Sequence, residues 1–291
     1  VGNHHAVELN SGVISIPQVE YNIDFGKILE VALKGVRRAT VFLGFGVNAA
    51  LDTNFNKYQL TDIAQIQLLP QEVDVQALSH FKDEFKTWVV GNGLRELIET
   101  FSVFLERLHE ACLLIENHVK PVALNNLAKQ QATFGKNGLP DKITVLKKKF
   151  SVGPTHPAQL LTLNKARNCL THRRGIVERI DCNLIDALKV NWLGADIFAQ
   201  TQSGEKHPLK KGLVLKEDGG IMMQFLERER VFPIRSVVKF SPQDLAEICW
   251  FFIREAGTTC ETAAEFAKSK NVPVSETSQR TKSNAPDTAD C

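Results

Sequence analysis

The chain has 291 residues, enough for a substantial core in one large domain or two small ones. With 43% hydrophobic and 23% charged residues it has the balance of an ordinary globular protein. A net charge of +2 excludes a protein coated in base, so any nucleic-acid contact must come from a local patch. Cys112, Cys169, Cys182, Cys249, Cys260 and Cys291 are scattered without a Cys-x-x-Cys pair. With no signal peptide ahead of them, they read as reduced thiols of a cytoplasmic protein. The uncharged apolar run over 39–51 is too short to span a bilayer, so no membrane role is expected.

Residues 1–25 read as an irregular segment with a short strand over 13–16. His4 and His5 lack further ligands at metal spacing and read as a loose terminus. Ile28, Leu29, Ala32, Leu33, Val36, Thr40 and Leu43 predict a helix over 26–50. Gly44 and Gly46 either weaken its end or admit a neighbouring helix. A polar connection over 51–75 holds at most a short helix over 63–68. Ser79 then caps a helix carrying Phe81, Phe85, Trp88 and Val89, which Gly91-Asn92-Gly93 interrupts. The next helix, over 94–119, has a sustained stripe of Leu97, Ile98, Phe101, Leu105, Leu108, Cys112 and Ile115. Its His109 and His118 have no partner at zinc spacing and read as structural or surface groups. Glu99, Glu106 and Glu110 either hold an arginine or are solvated.

Pro121 opens a weaker segment. A short basic helix capped by Asp141 follows, with Ile143, Leu146 and Phe150 inside and Lys142, Lys147, Lys148 and Lys149 outside. That run, Lys147 and Lys148 above all, reads either as a phosphate-contacting patch for RNA or as a solvated face. Pro157 sits at the first position of the next helix, after a sharp turn over 153–157, and His156 just before it is a lesser candidate for substrate contact.

That next helix carries the chemistry. Leu160, Leu163 and Leu170 point at a core, while Asn168 and His172, four apart, share one face with Arg167 at its edge. Gly175 supplies a left-handed cap, and Arg173 and Arg174 complement the helix C-terminus. Arginine matches phosphate oxygens in a charged planar fork, and histidine moves protons near neutrality. Asparagine can orient either. The set suits phosphodiester chemistry, although the same residues can form a solvent-facing helix cap.

Beyond Gly175 the pattern predicts a second helix over 183–188. The texture then shifts to short apolar runs around Trp192, Ile197-Phe198, Leu213-Val214-Leu215, Ile221-Met222-Met223 and Phe232, with a hairpin turn at Glu217-Asp218-Gly219-Gly220. A small antiparallel sheet is expected over 190–240, as an insertion or an appended subdomain. Ser241-Pro242-Gln243-Asp244 is a strong helix start. That helix carries Leu245, Ile248, Cys249, Phe252 and Ile253 and stops at Gly257, and a weaker one runs over 259–268. Residues 270–291 are polar and read as a disordered tail.

Arg167-Asn168-Cys169-Leu170-Thr171-His172 resembles the Arg-x4-His signature of the HEPN superfamily, including the polar residue after the Arg. The flanks Asn164-Lys165-Ala166 and Arg173-Arg174-Gly175-Ile176-Val177 look like bacterial members. The resemblance implies a mainly α fold, a HEPN-like antiparallel helical bundle over 26–189 with the β segment beside it and helices over 241–269 packing back. It implies a metal-independent endoribonuclease with no cofactor, acting on RNA as a homodimer, in a toxin–antitoxin or phage-defence setting with an antitoxin or other regulatory partner. Arg167, Asn168 and His172 would be catalytic, and Lys165, Arg173 and Arg174 would hold flanking phosphates. Arg174 stands where toxins of this type paired with a nucleotidyltransferase carry a Tyr, so the resemblance does not extend to control through that tyrosine. Other members are non-catalytic and bind RNA, a nucleotide or a partner protein, which is the competing expectation. A purely structural helical protein is the third.

Overall fold

A computed structural model describes residues 23–56, 74–118 and 124–274. Helix α1 (Phe25–Leu51) starts at Asp24, whose carboxylate accepts the Lys27 N–H, and buries Ala32, Val36 and Leu43 of the expected stripe, with Ala39 beside them. Helix α2 (Val75–Glu116) is a single helix of 42 residues that begins at Asp74 and not at Ser79. Gly91-Asn92-Gly93 does not interrupt it. A Cβ on Gly93 would stand 2.5 Å from Leu245, so this glycine marks where a later helix crosses, and packing on both sides outweighs its poor propensity. Gly46 of α1 likewise lies against Val89 of α2, the close approach the sequence allowed for.

Helix α3 (Leu124–Gly135) and helix α4 (Leu139–Phe150) cover one side of α2. Lys142, expected outside on α4, is 3% exposed. Its ammonium donates to Glu106 at 2.5 Å and to Ser102 at 2.8 Å, so a carboxylate on α2 draws the cation inward. Helix α5 (Pro157–His172) carries the Arg-x4-His motif. No helix follows over 183–188. The Asn183 side chain instead accepts the Lys189 N–H at 2.7 Å and donates to the Lys189 carbonyl at 2.9 Å, folding the segment into a turn.

The sheet is antiparallel, as expected, but is built from two long strands and one short one. Strand β1 (Ala187–Thr201) pairs along its whole length with strand β3 (Gly219–Pro233), and strand β2 (Lys206–Pro208) adds to the other edge of β1 in the order β2-β1-β3. Leu213-Val214-Leu215 lies in the connection, outside any strand. Gly219 and Gly220 do not make a tight turn; they begin β3, with Gly219 opposite Thr201. Helix α6 (Pro242–Ser269) opens with the expected capping box at Ser241 and Asp244. It continues through Gly257, merging two expected helices into one.

Leu188, Val190 and Trp192 of β1 join the cluster of buried side chains that includes Phe101, Phe104, Phe251 and Phe252 of α2 and α6. The sheet is thus an insertion between α5 and α6 that shares the helices' core. Among the described residues no helix is long and apolar enough to cross a membrane. His4, His5, the strand over 13–16, the helix over 63–68, Cys291 and the tail beyond residue 274 lie outside the described residues.

Candidate functional site

Helix α5 forms because Pro157 pre-sets its first turn and because Leu160, Leu163, Ala166 and Cys169 line up on a buried stripe. At its start, His156 is held by a carboxylate. Its backbone N–H and ring Nδ1 each lie 2.8 Å from an oxygen of Glu255, a carboxylate on α6 with no solvent exposure. The structure therefore places His156 in a structural contact.

At the other end, the Cys169 carbonyl accepts the N–H groups of both Arg173 and Gly175, at 3.0 and 3.1 Å. The chain turns through two successive left-handed residues, Arg174 at φ 52° and Gly175 at φ 78°. Glycine takes this conformation freely; arginine is strained in it. The turn separates the two arginines. Arg173 folds back in a bidentate fork onto Asp181, with Nε 2.7 Å from the carboxylate, and Asp181 is only 2% exposed. Arg174 is exposed and makes no ion pair among the described residues.

Arg167 is half-buried. Its Nη2 donates to Asn164 Oδ1 at 3.2 Å, while its Nε is buried without an acceptor. Burial pushes its pKa below the usual arginine range, Glu99 on α2 pulls it back up, and Arg95 opposes that pull. Arginine remains a cation throughout. Asn168 is half-buried and His172 exposed, and neither has a hydrogen-bond partner among the described residues. Arg167 and His172 are five residues apart, which sets them about 140° apart around the helix. Within one chain the guanidinium and the imidazole therefore face different sides.

Lys165 reaches the Cys182 carbonyl at 3.4 Å. Lys147 and Lys148 are exposed on α4, which leads into the first turn of α5. The motif begins ten residues into that helix, about 15 Å from its start, so these two lysines do not join it. Cys169, inside the motif, is no nucleophile. Burial pushes its thiol up to about 11, and its Sγ donates to the Ile176 carbonyl at 3.2 Å. His109 is structural, as expected: it stacks on Phe134 at 3.8 Å, its Nδ1 lies 2.6 Å from Gln131 Oε1, and burial lowers its pKa. Glu106 holds Lys142, and Glu110 pairs with Arg107. No group of three metal-ligating side chains occurs among the described residues.

Sequence reasoning passed over a cleft of about 720 Å³ beside the motif, between α2, the end of α5 and the segment that enters α6. Leu170, Thr171 and Arg174 form one wall, with Trp88, Arg95 and Lys239 on the others. Trp88 was assigned to a helix stripe, yet it is 64% exposed.

No protein-family model, curated protein or solved structure matches this chain.

Proposed function

We propose that the protein is a metal-independent endoribonuclease of HEPN type. The observation that carries this reading is an arginine with an unsatisfied Nε and no ion pair, one helical turn and a residue before a solvent-facing histidine that nothing else engages. A buried donor without an acceptor has a cost in the free protein, and a phosphate oxygen would satisfy it.

In this reading one His172 takes the proton from a ribose 2′-hydroxyl, and the freed oxygen attacks phosphorus. The bond to the 5′-oxygen breaks as a second His172 protonates that leaving group. Arg167 stabilises the extra negative charge on the phosphorane, and Asn168 positions the imidazole or a non-bridging oxygen. The products carry a 2′,3′-cyclic phosphate and a 5′-hydroxyl. Because Arg167 and His172 face different sides of α5, a second copy is required to bring them together, which makes a two-fold homodimer part of the proposal. Arg174 and Lys165 hold flanking phosphates. Arg173 acts through Asp181 to fix the turn after the helix. The unpaired thiols fit a reducing cytoplasm, and a toxin–antitoxin or phage-defence setting with a neutralising protein is the role that such an activity serves.

The test is cleavage of end-labelled RNA in EDTA by wild type, His172→Ala and Arg167→Ala. Each substitution is expected to lower the rate by roughly 10²- to 10⁴-fold. Cleavage that persists in both variants, or a wild type that never cuts, overturns the nuclease. The cleft favours a second reading, a non-catalytic RNA-binding module, which is the outcome if wild type binds RNA without cutting it.

A further inference from the structure

Trp88 is the largest apolar side chain open to the cleft, and it is held in place. Phe85 lies nearly parallel to it, at 18° and 6.4 Å between ring centres, and the Trp88 carbonyl accepts the Asn92 side-chain amide at 2.8 Å. The indole, with Phe85 on one side, is a solvent-facing platform and not part of the core. Three cations line the same cleft from three different segments, Arg95 on α2, Arg174 after α5 and Lys239 before α6, and they outnumber its two carboxylates, Asp83 and Glu84 on α2, of which Glu84 lies 3.5 Å from His80. Arg174 and Lys239 make no ion pair among the described residues, and Arg95 touches only Glu99, an exposed pair at 3.2 Å of little strength. The volume, about 720 Å³, falls within the roughly 300–1,000 Å³ of small-ligand sites.

We infer that this cleft is a nucleotide subsite for single-stranded RNA, in which one base stacks on Trp88 while Arg95, Arg174 and Lys239 hold the adjoining phosphates. Aromatic stacking combined with a basic track is the means by which proteins hold single strands without reading sequence. Leu170 and Thr171, the two residues before His172, form part of the wall, whereas His172 does not. The bound nucleotide therefore lies beside the scissile phosphate and sets the strand's path past it. This assignment rests on the nuclease reading for its neighbour but not for its own binding.

The experiment uses the full chain and a short 2′-O-methyl oligoribonucleotide, which lacks the attacking hydroxyl, so that binding is measured apart from cleavage. Fluorescence anisotropy is expected to show Trp88→Ala weakening binding by roughly 5- to 150-fold, the span that stacking on one base is worth, with Trp88→Phe weakening it less. Arg174→Gly and Lys239→Ala should each lower the slope of log affinity against log salt by about 0.7. Unchanged affinity in Trp88→Ala would overturn the subsite even if RNA cleavage by His172 is established. The same losses in the Trp88, Arg174 and Lys239 variants, with cleavage absent from wild type, would keep the subsite and remove the nuclease. A mononucleotide that binds as tightly as the oligonucleotide and displaces it would reassign the cleft to a free nucleotide and overturn the strand.

Discussion

The two ends of α5 (Pro157–His172) carry similar residue types and use them in opposite ways. At the first turn, His156 spends its backbone N–H and its ring on Glu255, a carboxylate fully inside the protein. At the last turn, Arg167 keeps an unsatisfied Nε, while His172 and Arg174 stand in solvent without an intramolecular partner among the described residues. Buried polar groups are normally satisfied, because leaving one unpaired costs of order 1–3 kcal/mol. The closed end follows that rule and is accounted for by stability alone. The open end departs from it, and a ligand oxygen is what would restore it.

The largest expected effect tests the closed end. Glu255→Ala leaves the His156 N–H and ring without an acceptor and opens a cavity between α5 and α6. It should cost about 3–5 kcal/mol in urea unfolding. A cost under about 1 kcal/mol would show that His156 is as free as His172, and the contrast would collapse. The boundary between the two ends runs between neighbours. Arg173→Ala strands Asp181, which keeps only the Glu178 N–H at 3.1 Å, and should cost about 2 kcal/mol while leaving RNA affinity unchanged. If affinity falls instead, Arg173 belongs to the open set.

Much of this contrast could not be read from the sequence. The stripe of Leu160 and Leu163, the start at Pro157 and the cap at Gly175 were legible, because they depend on local spacing and on backbone chemistry. Arg173 and Arg174 looked equivalent there. What divides them is Asp181, eight residues away and brought near only by the left-handed turn. Lys142 belonged to a run of exposed lysines until Glu106 on another helix drew it inside. Gly91, Gly93 and Gly257 looked like breaks because propensity is local, whereas the packing that carries α2 and α6 through them is not. The hairpin connection differs for a related reason: Gly219 serves a close strand pairing, where a Cβ would stand only 2.6 Å from the Gln200 carbonyl, while a Cβ on Gly220 would meet nothing. The cleft was illegible altogether, since Trp88, Arg174 and Lys239 meet only through the fold.

A second closed histidine gives a smaller effect with a definite sign. Gln131 Nε2 donates to the Glu106 carbonyl at 2.9 Å, which turns its Oε1 toward His109 and makes Nδ1 the protonated nitrogen of a neutral ring. Burial holds the folded pKa below the ordinary value of 6.5. Below that pH the unfolded chain takes up the proton first, so this contribution is present above 6.5 and is lost as pH falls toward the folded value. His109→Phe keeps the stack on Phe134 and should flatten the acid side of the stability profile relative to wild type. An acid side as steep in His109→Phe as in wild type would overturn this account of His109.

The smallest expected effect is the sharpest test of the open end. Arg174 sits at φ 52°, where a side chain costs about 1–2 kcal/mol and glycine almost nothing. Glycine forfeits roughly 0.5–1 kcal/mol through the greater freedom of the unfolded chain, so Arg174→Gly should stabilise the protein by about 0.5 kcal/mol. Arg174→Ala keeps the strain and should gain nothing. Both remove the same charge, and both should weaken RNA binding alike. Thermal unfolding separates the variants by backbone, and the salt dependence of binding groups them by charge. Should Arg174→Gly prove destabilising, the guanidinium has an intramolecular partner and that end of α5 is closed after all. Stabilisation with weakened binding is the pattern of a residue held in a strained conformation for what it touches outside the chain.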